Sequence, residues 1–159
     1  MGFKSTILVV EDVKKSRKLY EDILMCEVVD DFGEYNVGFE GGLALYKKTL
    51  FIDLTAQEDI VLKANNLTVY FEFKNIESIE ILIKEQNFEF VHNIQEQPWG
   101  QNVFRFYDYD GHMIEIAEEM DSVLLRLQNM GMSFKEISEK TGYTEDKVIT
   151  DLEKIREKK

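Results

Sequence analysis

The stretch at residues 98–119 constrains the fold most, because it predicts a β-hairpin with a single carboxylate set into an otherwise apolar strand. Val103–Tyr107 and Met113–Ala117 are rich in β-branched and aromatic residues. They flank the sequence D-Y-D-G, whose Asp and Gly residues favour a tight turn. If the turn has no bulge, Arg105 lies opposite Glu115, since cross-strand partners share a face.

The first half of the chain follows the order strand, helix and three strands. Thr6–Val10 predicts a short buried strand, and Asp12 caps a helix with apolar residues in helical period. Three further strands follow, joined by the turn signals G-E and G-G: Glu27–Phe32, Tyr35–Glu40 and Leu43–Lys47.

The second half repeats this order after a connector, which is predicted as a loop with a helical turn. Asn66–Phe73 alternates apolar and polar residues, as is typical of a half-buried strand. Asn75 then caps an apolar helix, and a strand begins at Phe88 ahead of the hairpin. The fold class is therefore α+β. The predicted divisions are a first βαβββ module at 1–48, the connector at 49–64, a second βαβββ module at 65–119 and a helical tail at 120–159.

The helical tail is defined by its capping signals. Asp121–Met130 is amphipathic, and S-F-K-E forms a capping box that opens a helix at Ser133. Gly142 ends that helix, and Thr144 caps a last helix that runs to Glu157. We expect these helices to pack on the domain or to contact a second copy of the chain.

Part of the tail, K-E-I-S-E-K-T-G-Y-T-E-D-K-V-I-T-D-L, resembles a helix-turn-helix. Its second helix nevertheless begins with Glu145 and Asp146, and residues 121–159 hold eight basic and eight acidic side chains. A tail without net positive charge releases no counterions from a phosphate backbone. We therefore expect no nucleic-acid partner.

Composition excludes several further classes. The 159 residues are 44% hydrophobic, which is enough to bury a core. No apolar run is long enough to span a bilayer, and the N-terminal residues lack a secretion signal, so we expect a cytoplasmic location and no membrane partner. Cys26 is the only cysteine, which excludes an internal disulfide framework. The net charge of −12 makes the protein acidic.

Two motifs carry a resemblance to a known family. The sequence Y-D-Y-D-G-H-M-I-E-I, from Tyr107 to Ile116, resembles the pattern that closes a βαβββ unit in the vicinal oxygen chelate superfamily. This superfamily includes glyoxalase I, extradiol dioxygenases, fosfomycin-resistance enzymes and bleomycin-resistance proteins. D-V-K-K-S-R-K-L-Y-E-D-I-L is similar to the first half of such a domain, whereas Tyr109 stands where members usually have proline. The resemblance implies two modules forming a curved, half-open eight-stranded sheet.

The resemblance also implies where a metal would bind. Metal-dependent members place His, Glu or Gln on four strands, one ligand on each. The matching residues here are Ser5, Ala44 or Leu45, Thr68 and Glu115. Only Glu115 is a suitable donor, and one carboxylate cannot hold a catalytic ion. His112 falls in or beside the turn and His92 at a strand edge, which favours surface or turn roles. The sequence predicts no metal and no cofactor.

Without a metal, the resemblance points to the bleomycin-resistance proteins, which are acidic dimers that sequester a flat aromatic cation. We expect a small-molecule ligand, aromatic or cationic, on the open face of the sheet. The predicted pocket contains Trp99, Arg105 and Glu115, with Tyr46 or Tyr70 contributed from the other module. Trp99 lies in a polar loop, where an indole needs a hydrogen-bonding partner. We also expect a homodimer, since the modules can pair within a chain or across a two-fold axis.

An enzyme of the lyase or isomerase type is the alternative hypothesis. Such an enzyme would use Glu115 as a general base without a metal, or would bind a metal through ligands not recognised in the sequence. A Glu115 that is paired with Arg105 is held ionised and engaged, which disfavours the first of these. A third hypothesis is a regulatory module whose helical tail reports ligand occupancy to a partner.

Overall fold

Eight strands within residues 2–157 form two four-stranded mixed sheets. The computed structural model describes residues 2–157. The strands are β1 Thr6–Val10, β2 Val28–Asp31, β3 Asn36–Phe39, β4 Leu43–Lys47, β5 Thr68–Phe73, β6 Phe90–Glu96, β7 Asn102–Tyr107 and β8 Met113–Glu118. The helices are α1 Val13–Lys18, α2 Lys48–Thr55, α3 Ile76–Glu85, α4 Met120–Asn129, α5 Phe134–Thr141 and α6 Glu145–Glu157. The predicted α+β class, with two βαβββ modules and a helical tail, is confirmed.

The first sheet has the strand order β1-β4-β3-β2, with β1 parallel to β4 and the other neighbours antiparallel. Asp12 caps α1 as predicted, because its side chain accepts a hydrogen bond from the backbone N–H of Lys15 at 3.0 Å. A π-helical turn at Leu19–Ile23 extends α1. Leu8, Val10 and Tyr20 are fully buried, so the core of this module lies between the sheet and α1.

The second sheet has the order β5-β8-β7-β6. Ile114 and Ile116 on β8 are fully buried, so the strand pleat turns Glu115 to the opposite face. Phe90, Phe104 and Phe106 form an aromatic layer with ring centroids 5.7 to 6.3 Å apart. Phe104 and Phe106, both on β7, are fully buried and belong to the core.

Contacts divide the chain into two compact units. The first comprises the chain up to Val69 together with Gln86–Glu89 and Tyr107–Ile114. The second comprises Tyr70–Glu85, Phe90–Phe106 and the chain from Glu115 onward. The turn of the β7–β8 hairpin therefore belongs to the first unit, whereas the strand segments carrying Arg105 and Glu115 belong to the second.

The connector contains more helix than the sequence predicts. α2 has eight residues and ends at Thr55, and its C-cap residue, Ala56, adopts a left-handed backbone with a φ of 55°. β5 then begins at Thr68 rather than at Asn66. The chain bends at Asn66, directly after the left-handed φ of 57° at Asn65, so the extended strand starts only beyond this bend.

The D-Y-D-G-H turn is held by a buried carboxylate. The side chain of Asp108 has no solvent exposure. It accepts hydrogen bonds from the Tyr20 hydroxyl at 2.8 Å and from Nδ1 of His112 at 2.9 Å. Its other oxygen accepts the backbone N–H groups of Asp110 and His112. His112 therefore has the turn role that the sequence predicts.

The second aspartate of the turn reaches the junction between β1 and α1. Asp110 accepts a hydrogen bond from the backbone N–H of Glu11 at 2.9 Å and one from the Ser16 hydroxyl at 3.3 Å. Burial raises the pKa of Asp110 above its ordinary value. Both aspartates of the D-Y-D-G-H turn therefore join this turn to other segments of the first unit.

The tail is a three-helix cluster with its own apolar core. The buried side chains of this core are Val123, Leu124, Leu127, Ile137, Val148 and Leu152. The predicted capping box at Ser133 is present, with Glu136 as its partner, and Gly142 ends α5 with a φ of 75°. Within residues 2–157, no helix is long and apolar enough to cross a membrane.

Replacing Tyr20 with phenylalanine should lower the free energy of unfolding by about 1–3 kcal/mol, because the buried carboxylate of Asp108 loses a hydrogen-bond donor. Urea unfolding followed by circular dichroism measures this change. Tyr109→Phe is the matched control, since the Tyr109 hydroxyl makes no hydrogen bond to any residue in the described range. Equal destabilisation by both substitutions would show that the Tyr20 hydroxyl contributes nothing specific.

Candidate functional site in the second sheet

An ion pair on adjacent strands lies at the centre of the site. Nε of Arg105 on β7 donates to Oε2 of Glu115 on β8 at 2.6 Å. The two side chains are 23% and 15% exposed, so the pair is partly withdrawn from water but still reachable. The pairing predicted from the hairpin register is therefore confirmed.

A histidine extends this pair across β7 to the edge strand β6. Nη1 of Arg105 donates to Nε2 of His92 at 2.8 Å, since a guanidinium can only donate. Nε2 is thus unprotonated, and Nδ1 carries the hydrogen that is donated to the carbonyl oxygen of Asn93 at 2.8 Å. His92 is a neutral imidazole in this arrangement, and it belongs to the site although the sequence favours a surface role.

Trp99 finds its hydrogen-bonding partner two residues along the chain. Its indole N–H donates to Oε1 of Gln101 at 2.8 Å. The amide nitrogen of Gln101 donates in turn to the Tyr70 hydroxyl at 3.0 Å and to the carbonyl oxygen of Glu118 at 2.8 Å. Gln101 is only 4% exposed, whereas Trp99 is 40% and Tyr70 48% exposed. A single buried amide therefore fixes two half-exposed aromatic rings.

Tyr70 connects the aromatic and charged parts of the site. Its hydroxyl donates to Glu72 at 2.7 Å. Burial and this hydrogen bond raise the pKa of Tyr70 to about 12, and the charge of Glu115 acts in the same direction. The phenol therefore stays protonated at neutral pH. Tyr70 lies in the same unit as Glu115, so it does not come from the opposite module as expected from the sequence.

Tyr46 belongs to the first unit, where it lines a different cavity. This cavity has a volume of about 600 Å³ and lies on the first sheet. Ser5, Phe32, Asn36 and Ala44 also line it. The structure thus groups Trp99, Tyr70, Arg105 and Glu115 within one unit and describes Tyr46 in the other.

The residues at the metal positions implied by the superfamily do not fit a divalent ion. Ala44 has no donor atom, Ser5 and Thr68 offer only hydroxyl groups, and Glu115 is bound by Arg105. Among residues 2–157, no group of three or more His, Cys, Asp or Glu side chains is placed to hold a metal. The donor set is too poor for the hard or imidazole coordination that such ions require.

Comparison with known proteins shows the family. The model of the glyoxalase-like domain matches residues 3–121. The chain therefore belongs to the glyoxalase-like domain family, within the vicinal oxygen chelate superfamily. α5 and α6, with nearly all of α4, lie beyond the matched residues. No curated protein matches the chain.

Solved structures show the same fold. A protein of unknown function from Agrobacterium tumefaciens strain C58 is 33% identical, with a TM-score of 0.65 over 75% of this chain and 94% of that chain. The fosfomycin resistance protein FosX from Listeria monocytogenes is 17% identical, with a TM-score of 0.57 over 75% and 93%. Lactoylglutathione lyase from Agrobacterium tumefaciens is 19% identical, with a TM-score of 0.51 over 74% and 92%. At 17% and 19% identity, these last two proteins indicate the fold alone.

Purified protein should contain no stoichiometric zinc, nickel, manganese or iron, because Glu115 is the only carboxylate at the implied ligand positions and it is occupied by Arg105. Elemental analysis of protein prepared without chelators measures this directly. One metal ion per chain would contradict the expectation. Glyoxalase activity should also be absent, with and without added metal.

Removing Arg105 alone should destabilise the protein more than removing the whole ion pair. Arg105→Met leaves the partly buried Glu115 carboxylate without its partner, at a cost of about 1–3 kcal/mol. The double variant Arg105→Met, Glu115→Met should unfold within about 1 kcal/mol of the parent, because replacing a buried pair by apolar side chains is often nearly neutral. A double-mutant cycle from urea unfolding separates the two cases. A double variant as unstable as the single one would mean that the pair itself stabilises the fold.

Proposed function

We propose that this protein binds a small aromatic molecule that carries a positive charge, and that it does so without a metal. The arrangement around Gln101 is the observation that carries this proposal, since one buried amide holds both Trp99 and Tyr70. Rings that are already fixed and still half exposed lose little conformational freedom when a planar ligand stacks on them. The site is therefore prepared for an aromatic ligand before binding.

The carboxylates near these rings favour a cationic ligand. Glu72 accepts a hydrogen bond from Tyr70, and the charge of Glu115 affects the same phenol. Arg105 occupies Oε2 of Glu115, while Oε1 makes no hydrogen bond to any residue of the described part of the chain. A free carboxylate oxygen suits an ammonium or guanidinium donor. The net charge of −12 also attracts cations to the protein.

The catalytic alternative is less well supported by this geometry. A general base must be free to accept a proton from the substrate. Arg105 donates hydrogen bonds to both Glu115 and His92, so it engages the two groups that would serve as bases. We therefore favour binding over a lyase or isomerase reaction at this site.

We also propose that the chain forms a homodimer. Leu54, Val61 and Leu62 in the connector are 66%, 73% and 64% exposed, and a segment that exposes several large apolar side chains is a candidate interface. Light scattering at micromolar protein concentration should give twice the mass of one chain. The monomer mass would contradict this part of the proposal.

Three naphthalene compounds of similar size test the preferred charge. Naphthylmethylamine should bind most tightly, naphthylmethanol more weakly and naphthoic acid least, because the site presents carboxylates beside its aromatic rings. Isothermal titration calorimetry gives the three affinities. Tighter binding of naphthoic acid would mean that Arg105, and not the carboxylates, dominates recognition. No binding of any of the three would argue against the proposed function.

Replacing Trp99 with alanine should weaken the binding of naphthylmethylamine by roughly 1–3 kcal/mol, as expected for a stacked aromatic anchor. Tyr109→Ala is the matched control, because Tyr109 is 38% exposed and lies in the hairpin turn, outside the site. Trp99→Phe keeps a ring but loses the N–H that bonds Gln101, so its affinity should fall between those of the parent and Trp99→Ala. Equal affinities of the parent and Trp99→Ala would remove Trp99 from the site.

A further inference from the structure

The helical tail contacts the turn that carries Trp99. Nη2 of Arg126, on α4, donates to the carbonyl oxygen of Gly100 at 2.6 Å. The same guanidinium binds the Glu118 carboxylate at 2.7 and 3.1 Å and reaches Glu96 at 3.2 Å. Three separate segments, the end of β6, the Trp99 turn and the end of β8, are therefore joined by one side chain of the tail.

The tail also packs directly against the glycine of this turn. A Cβ placed on Gly100 would lie 2.9 Å from Cε of Lys140 and 3.4 Å from Cδ1 of Leu127. The φ of 86° at Gly100 further favours glycine. Nζ of Lys140 also forms an ion pair with Oε1 of Glu96 at 2.8 Å, and this contact lowers the pKa of the Glu96 carboxyl. Helices α4 and α5 thus hold the turn from one side.

We propose that Arg126 is a positioning residue of the ligand site and that it sets the geometry of Trp99 and Gln101 from the tail. The Gly100 carbonyl belongs to the peptide group that continues into Gln101, so fixing this carbonyl fixes where the Gln101 side chain starts. The far end of that side chain bonds the backbone carbonyl of Glu118, whose carboxylate is held by the same arginine. Arg126 therefore holds the backbone from which the Gln101 side chain starts and the residue, Glu118, to which its amide is bonded.

The strength of this control follows from burial and charge. The side chains of Arg126 and Glu118 are 29% and 10% exposed, so water competes weakly for their hydrogen bonds. Hydrogen bonds between ionised groups are stronger than those between neutral groups. The bond to Glu118 also raises the pKa of Arg126, which keeps the guanidinium charged. The inference rests on the proposed function only where it concerns ligand affinity.

Trp99 is the only tryptophan of the chain, so its fluorescence reports this turn directly. Arg126→Gln should shift the emission maximum to longer wavelength and increase quenching by acrylamide, because the released turn exposes the indole. Arg156→Gln is the matched control, since Arg156 is also in the tail but donates to the side chain of Gln128 at 3.1 Å and not to the Trp99 turn. Unchanged emission and quenching in folded Arg126→Gln protein would overturn the proposal.

The second readout is the affinity for naphthylmethylamine. Arg126→Gln should weaken it about tenfold, because the ligand would then have to order the turn on binding. Arg126→Lys keeps the charge but cannot bond Gly100 and Glu118 together, so it should be intermediate. Parent-like emission and affinity in Arg126→Lys, or an emission shift in Arg126→Gln without a loss of affinity, would overturn the positioning role.

Two further measurements keep the outcomes distinct. If Arg126→Gln does not fold, the double variant Glu118→Gln, Arg126→Gln removes the unpaired carboxylate and is tested in the same way, with circular dichroism as the folding check. If the parent does not bind naphthylmethylamine, the proposed function fails for this probe, and the emission of Trp99 still decides whether Arg126 positions the turn. If the parent binds and neither readout changes, the inference alone fails.

Discussion

The complete burial of Ile114 and Ile116 determines where the chemistry of this protein lies. A strand alternates its side chains between two faces, so the residue between two buried isoleucines must point away from the core. That residue is Glu115, and a carboxylate on a partly exposed sheet face needs a positive partner. Arg105 provides it from the neighbouring strand at 2.6 Å. Arg105 also bonds His92, and the charge of Glu115 acts on the phenol of Tyr70.

The pair could be predicted because its determinants are local. A short turn and strict alternation fix which residues of β7 and β8 face each other. His92 could not be placed in this way, because the pairing of β6 with β7 shifts register on both sides of it. Each shift changes the face on which the following residues lie. The sequence at 88–96 carries no clear signal for such irregularities, so the histidine appeared as an ordinary edge residue.

Gln101 was missed for a different reason. A glutamine after glycine matches no sequence motif. The role of Gln101 depends on its hydrogen bonds to Tyr70 on β5 and to Glu118 on β8, which only the fold brings close. The sequence predicts that the Trp99 indole needs a hydrogen-bonding partner, but it does not identify Gln101 as that partner. The start of β5 could not be predicted from the sequence either. The left-handed residue Asn65 precedes a start at Thr68, although the apolar alternation continues without a break from Asn66. Fold class and capping were predictable, whereas the polar contacts between distant segments required the structure.

Arg105 gives the site a chemistry that differs from that of the metal-dependent members of the superfamily. A divalent ion beside Glu115 would act as a Lewis acid with open coordination positions. A guanidinium instead offers a planar set of N–H donors and cannot polarise a bound oxygen to the same degree. One N–H group of Arg105 already donates to His92 and another donates to Glu115. These two hydrogen bonds fix the orientation of the Arg105 guanidinium. Under the proposed function, this guanidinium leaves Oε1 of Glu115 to accept from a cationic ligand while it engages both groups that could act as bases, which is why we favour binding over activation of a substrate.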